Sequence, residues 1–89
     1  MRYTIIIEEN LEERIGKLKK KDKLIYERLV NKIIELANNP HLGKPLRKVL
    51  KGKWRVHIGS FILIYKFNPE EKTITFLEFV HHNNAYKRS

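Results

Sequence analysis

The chain has no cysteine, which excludes a disulfide framework, a thiol redox centre and a thiolate zinc site and suits a reducing cytoplasm. Its longest apolar runs, such as Phe61 to Tyr65, fall far short of the ~20 residues a membrane-spanning helix needs. The opening residues pass straight into acidic ones without a cleavable signal pattern. Also missing are a glycine-rich phosphate loop, paired histidines at metal-binding spacing on a helix, and a serine or cysteine nucleophile in a recognised setting. The most informative gap is local. From Glu35 to Glu70 no carboxylate intervenes, yet the same stretch holds seven Lys or Arg.

What is present is basic. Nineteen Lys and Arg against ten Asp and Glu give a formal net charge of +9 over 89 residues, enough chain for one domain with a modest core. Such an excess favours RNA, DNA, ribosomes or an acidic protein through long-range attraction and counterion release. Part of the charge is ordered by strand alternation. In the segment 53–58 the side chains of Lys53, Arg55 and His57 fall on one face, and those of Trp54, Val56 and Ile58 on the other. Two cations beside a titratable imidazole suit phosphate handling, because Lys and Arg neutralise phosphate oxygens while His moves a proton near neutral pH. A solvated strand face is the plainer reading of the same pattern.

The periodicities predict an α+β fold in the order β-α-α-β-β-β, one domain over residues 1–89. A β-branched strand at 3–8 is followed by a helix capped by Asn10 and running to about Lys19, with Leu11, Ile15 and Leu18 on one stripe. A second helix, capped by Asp22, carries Ile25, Leu29, Val30, Ile33, Leu36 and Ala37 and stops at Asn39 before Pro40. Lys19 to Lys23 read as solvated helix ends joining an antiparallel helical hairpin. Residues 41–51 read as a loop, with His41 as ordinary surface. Strands at 53–58, 61–67 and 73–80, joined by Gly59-Ser60 and by a longer turn at 68–72, form a three-stranded antiparallel meander. One antiparallel sheet packed on the hairpin follows, with the first strand at an edge.

At this point the residues resemble a known family. The element order, the segment from Leu50 to Tyr65 and the terminal run from Val80 to Tyr86 are similar to the RelE/ParE superfamily of toxins from type II toxin-antitoxin systems, in layout over essentially the whole chain. The resemblance implies a RelE-like toxin domain, with two expected activities. RelE-type members cut messenger RNA in the ribosomal decoding site; ParE-type members poison DNA gyrase. Carried over onto matching positions, the RelE-type site implies Lys53, Arg55, His57, His82 and Tyr86 as catalytic residues. Lys44, Arg47, Lys48, Lys51, Lys87 and Arg88 are the implied RNA contacts. His57 or His82 is favoured over His81 as proton carrier. Two positions depart from the family pattern: Ile62 and Asn83 stand where an arginine is common.

The implied reaction is an endoribonuclease cleavage that uses no metal and no cofactor. The RNA 2′-hydroxyl attacks the neighbouring phosphorus, the 5′-oxygen leaves after gaining a proton, and Lys53 with Arg55 offsets the phosphoryl charge. The implied partners are a cognate acidic antitoxin protein in a toxin-antitoxin hetero-oligomer, the ribosome and messenger RNA, with no membrane and a cytoplasmic location. The alternative is a ParE-like toxin acting on a protein target such as DNA gyrase, or a degenerate homologue that only binds antitoxin.

Overall fold

The computed structural model describes residues 2–46 and 52–85. β1 (Thr4–Ile7) leads into α1 (Glu9–Lys21) and α2 (Lys23–Asn38). A single 3-10 turn (Pro40–Leu42) and the two-residue strand β2 (Lys44–Pro45) precede β3 (Trp54–Ile58), β4 (Phe61–Asn68), β5 (Thr73–His81) and the one-turn helix α3 (His82–Ala85). The α+β order read from the sequence holds, with β2 added inside the segment expected to be loop. Arg47, Lys48, Lys51, Tyr86, Lys87 and Arg88 lie outside the described residues.

The strands form one sheet ordered β1-β5-β4-β3-β2. β3, β4 and β5 are the expected antiparallel meander. β1 lies at an edge, but it pairs in parallel with β5, Thr4 opposite Thr73 and Ile7 opposite Phe76. The sheet is therefore mixed. Two helices carry the chain across the sheet before the meander returns, so the last strand arrives beside the first and points the same way.

Local chemistry sets the boundaries. α1 is capped two residues earlier than expected, because the Glu8 carboxylate accepts from the Asn10 N–H at 3.4 Å and takes the capping position. Asp22 ends α1 and caps α2, its Oδ1 accepting from the Ile25 N–H at 3.2 Å. Between β3 and β4, Gly59 takes φ +60° while Ser60 stays on the negative side, the pattern of a II′ hairpin turn with glycine first.

One face of the sheet carries the core. Leu11, Leu29, Ile33, Leu36 and Ala37 of the helices pack on Ile58, Leu63, Tyr65, Ile74, Phe76 and Phe79, with Trp54, Val56 and Phe61 partly buried against them. Tyr65 is fully buried yet satisfied: its hydroxyl donates to the Pro40 carbonyl at 2.6 Å and accepts from the Gly43 N–H at 3.1 Å. Burial pushes that hydroxyl up to about 12, against a smaller lowering by the Gly43 hydrogen bond. Gly43 has no alternative here, since a Cβ would collide with the Arg55 carbonyl oxygen and the Tyr65 hydroxyl. This latch holds the turn at 40–43 against the sheet and so sets where Lys44 stands.

Candidate functional site on the open sheet face

Strand alternation sends the intervening residues to the face away from the helices. Register places them in rows across the strands: His57 beside Ile62 beside Val80, then Lys44 beside Arg55 beside Ile64 beside Glu78. Lys66 on β4 and Lys53, immediately before β3, continue the face towards the far end of the sheet. Its centre is apolar and closed, Ile62 being 1% and Ile64 5% exposed although neither belongs to the helix-side core. Cations border this apolar floor.

Arg55 and His57 form a pair: Arg55 Nη1 lies 3.0 Å from His57 Nε2. A guanidinium only donates, so Nε2 accepts and the neutral imidazole carries its proton on Nδ1. His82 is fixed in a complementary way. Its backbone N–H donates to the Ser60 carbonyl at 2.9 Å, and its ring Nδ1 lies 3.1 Å from the same oxygen. A carbonyl only accepts, so Nδ1 carries the proton and Nε2 presents a lone pair. His81 has the opposite tautomer, because its Nδ1 accepts from the Asn83 N–H at 3.3 Å. His81 stacks on His82 with centroids 4.6 Å apart and meets Phe61 edge-on at 5.6 Å.

The structure thus pairs Arg55 with His57 on the open face and, separately, holds His82 against Ser60 at the hairpin end of the same sheet. Lys44 sits one strand out, and Lys53 lies towards the other end beside Lys66. Arg55 and His57 also line a small notch of about 150 Å³ with Leu42, Gly43, Lys44 and Val56. Ile62 stands between His57 and Val80, and because it is buried an arginine there would displace packing besides adding charge. His41 is exposed, as expected of surface, yet its ring packs edge-on against Trp54 at 5.5 Å and Phe67 at 5.0 Å.

One functional candidate escaped the sequence reading. The β4–β5 register shifts between Ile64 and Tyr65: Tyr65 pairs with Phe76 but Ile64 with Glu78, leaving Leu77 as the extra residue of a bulge. A bulge reverses the alternation beyond it. Simple alternation would put Glu78 on the helix side with Ile74 and Phe76; the bulge turns it onto the basic face and sends Phe79 into the core. Local sequence carries no bulge signal here, although a lone acid in an otherwise apolar strand is a hint that it needs a polar side.

Over residues 5–86 the chain matches the family described as the ParE toxin of type II toxin-antitoxin system, parDE. It is 39% identical over 87 residues to a candidate toxin named RelE4 from Methanocaldococcus jannaschii, covering 97% of this chain and 93% of that one. Its fold is similar to the toxin-antitoxin complex RelBE2 from Mycobacterium tuberculosis, with TM-score 0.79, 26% identity and coverage of 91% of this chain and 99% of the other. It is also similar to the archaeal RelE-RelB complex from Pyrococcus horikoshii, with TM-score 0.73, 20% identity and coverage of 94% and 99%.

Proposed function

This chain belongs to the ParE toxin family of type II toxin-antitoxin systems, within the RelE-like superfamily, and we propose that its basic sheet face cuts messenger RNA on the ribosome. The observation that carries this reading is the Arg55–His57 pair on a cationic sheet face, on the sheet whose hairpin end also holds His82 with its Nε2 presenting a lone pair. His82 Nε2 takes the proton from the 2′-hydroxyl, whose oxygen attacks phosphorus. Arg55 and Lys53 hold the charge that builds on the phosphoryl oxygens, where a guanidinium gives two parallel hydrogen bonds. As the bond from phosphorus to the 5′-oxygen breaks, Tyr86 supplies the proton that this oxygen needs. His57 keeps Arg55 aimed, since its Nε2 takes one guanidinium N–H. Lys44, Arg47, Lys48, Lys51, Lys87 and Arg88 neutralise flanking phosphates.

A cognate acidic antitoxin is the proposed cytoplasmic partner in a hetero-oligomer, because an acidic chain gains both burial and charge pairing on this surface. Among the described residues no helix is long and apolar enough to cross a membrane.

The test is in vitro translation of a defined messenger with the added protein, and mapping of new 5′ ends by primer extension with and without ribosomes. New ends that depend on ribosomes and vanish with Arg55→Ala or Tyr86→Phe support the reading. Growth arrest in cells without any new ends would move it to a protein target such as gyrase. That second reading is favoured by one observation, the buried Ile62 where RelE-type relatives commonly hold an arginine.

A further inference from the structure

β1 stops at Ile7, opposite Phe76, whereas β5 continues to His81 along β4. The Glu8 N–H donates to the Phe76 carbonyl at 3.0 Å, and past that point no described strand continues the ladder on this side of β5. The gap is a cleft of about 480 Å³, within the ~300–1,000 Å³ span of small-molecule sites. Its walls differ in kind. Leu11, Leu77 and Val80 are apolar, Arg14 and Lys53 are cationic, and two carboxylates line it: Glu8, engaged in capping α1, and Glu78, which the Leu77 bulge turns onto this face.

We propose that this cleft binds one unpaired guanine of the substrate RNA, with Glu78 reading its Watson–Crick edge. Resting on the nuclease reading, the inference adds to it a base preference. Single-stranded RNA is read by splaying a base out, packing its face and bonding its edge. Guanine presents two adjacent donors, N1–H and the N2 amino group, which match the two oxygens of a carboxylate. Adenine and cytosine each offer one amino donor beside an acceptor, and uracil one donor between two carbonyls. A carboxylate therefore selects guanine and repels uracil. Glu78 engages another group of the chain, but a carboxylate accepts at about four positions and keeps capacity for a base. Glu78 also shares its row with Arg55, two strands away across Ile64, or about 10 Å at normal strand spacing. That separation suits a phosphate on Arg55 and its base in the cleft, with Arg14 beside a neighbouring phosphate.

The test uses 2′-O-methyl RNA pentamers, which lack the attacking hydroxyl, so that binding is read whether or not the protein is a nuclease. Fluorescence anisotropy should show a central guanine binding roughly ten- to hundredfold tighter than adenine or uracil. Inosine, which lacks only the 2-amino group, should lose most of that advantage on the wild-type protein, without any mutation to disturb folding. Glu78→Gln should bring guanine and adenine within about threefold while retaining salt-dependent binding of both. Equal binding of all bases by the wild type, or an undiminished guanine preference in Glu78→Gln, overturns the proposal. A guanine preference without cleavage in the translation assay would leave the binding site standing and remove the nuclease reading instead.

Discussion

The two faces of the same sheet do different work with the same strands. On β3, Trp54, Val56 and Ile58 pack towards the helices while Arg55 and His57 stand on the other side. The helix face is continuous, apolar and closed by two amphipathic helices; the open face has a two-isoleucine floor ringed by cations, imidazoles and one carboxylate. The comparison teaches that a period of two can separate stability from chemistry within a single five-residue strand, so substitutions one position apart should fail in different ways.

The sharpest break of that division is Arg55→Ala. Messenger cleavage should fall by roughly 10²–10³, the scale of losing one charge-stabilising donor, with a melting temperature close to wild type. A parallel collapse in melting temperature would show that Arg55 belongs to the fold. Its neighbour should behave oppositely: Trp54→Ala should cost about 3 kcal/mol, the low end for an aromatic truncation because Trp54 is only half-buried. In a domain this small the melting point should drop roughly 10 to 20 °C, and calorimetry showing no drop would mean that β3 is turned over. Tyr65→Phe should cost about 1–3 kcal/mol by orphaning the Pro40 carbonyl and the Gly43 N–H.

Tyr65 also gives the helix face a pH signature. Its hydroxyl titrates near 10 when unfolded and about 12 when folded, so the native state holds the proton more tightly. The stability this supplies is complete below pH ~10 and is lost as pH rises through about 12. Urea midpoints measured across that window should fall in wild type, and the part of the fall due to Tyr65 should be absent in Tyr65→Phe. The smallest expected effect concerns the open face and its partner. Affinity for the cognate antitoxin should weaken between low and high salt as exposed charges are screened, and a salt-independent affinity measured by calorimetry would remove the electrostatic part of that interface.

Much of this division was legible in the sequence. The 3.6-residue stripes placed both helices, and Asp22 and Pro40 placed the caps and ends. The alternation of residues 53–58 assigned both faces of β3. Three things were not legible, each for a physical reason. The parallel pairing of Thr4 with Thr73 joins segments 69 positions apart, and no local periodicity encodes which distant edge a strand will choose. The cap of α1 moved to Glu8 because a longer carboxylate side chain reached the Asn10 N–H first. The bulge at Leu77 follows from packing Phe76 and Phe79 into one core, a tertiary demand that overrode the alternation of β5 and placed Glu78 where sequence reasoning did not look. At the candidate site, Arg55, His57 and His82 were named in advance, but their proton positions depend on the Ser60 carbonyl and on the Arg55–His57 contact, which only three dimensions supply.

The parallel β1–β5 ladder has a consequence in time. While the chain is being synthesised, β1 and both helices emerge first, yet β1 has no hydrogen-bonding partner until β5 follows, and the helix-side core lacks Ile74, Phe76 and Phe79 until then. Contacts of such long sequence separation form late and slowly. A protein whose proposed target is the translating ribosome is thus assembled only after nearly all of its own strands have been translated, which delays the first toxic molecule past the synthesis that produced it.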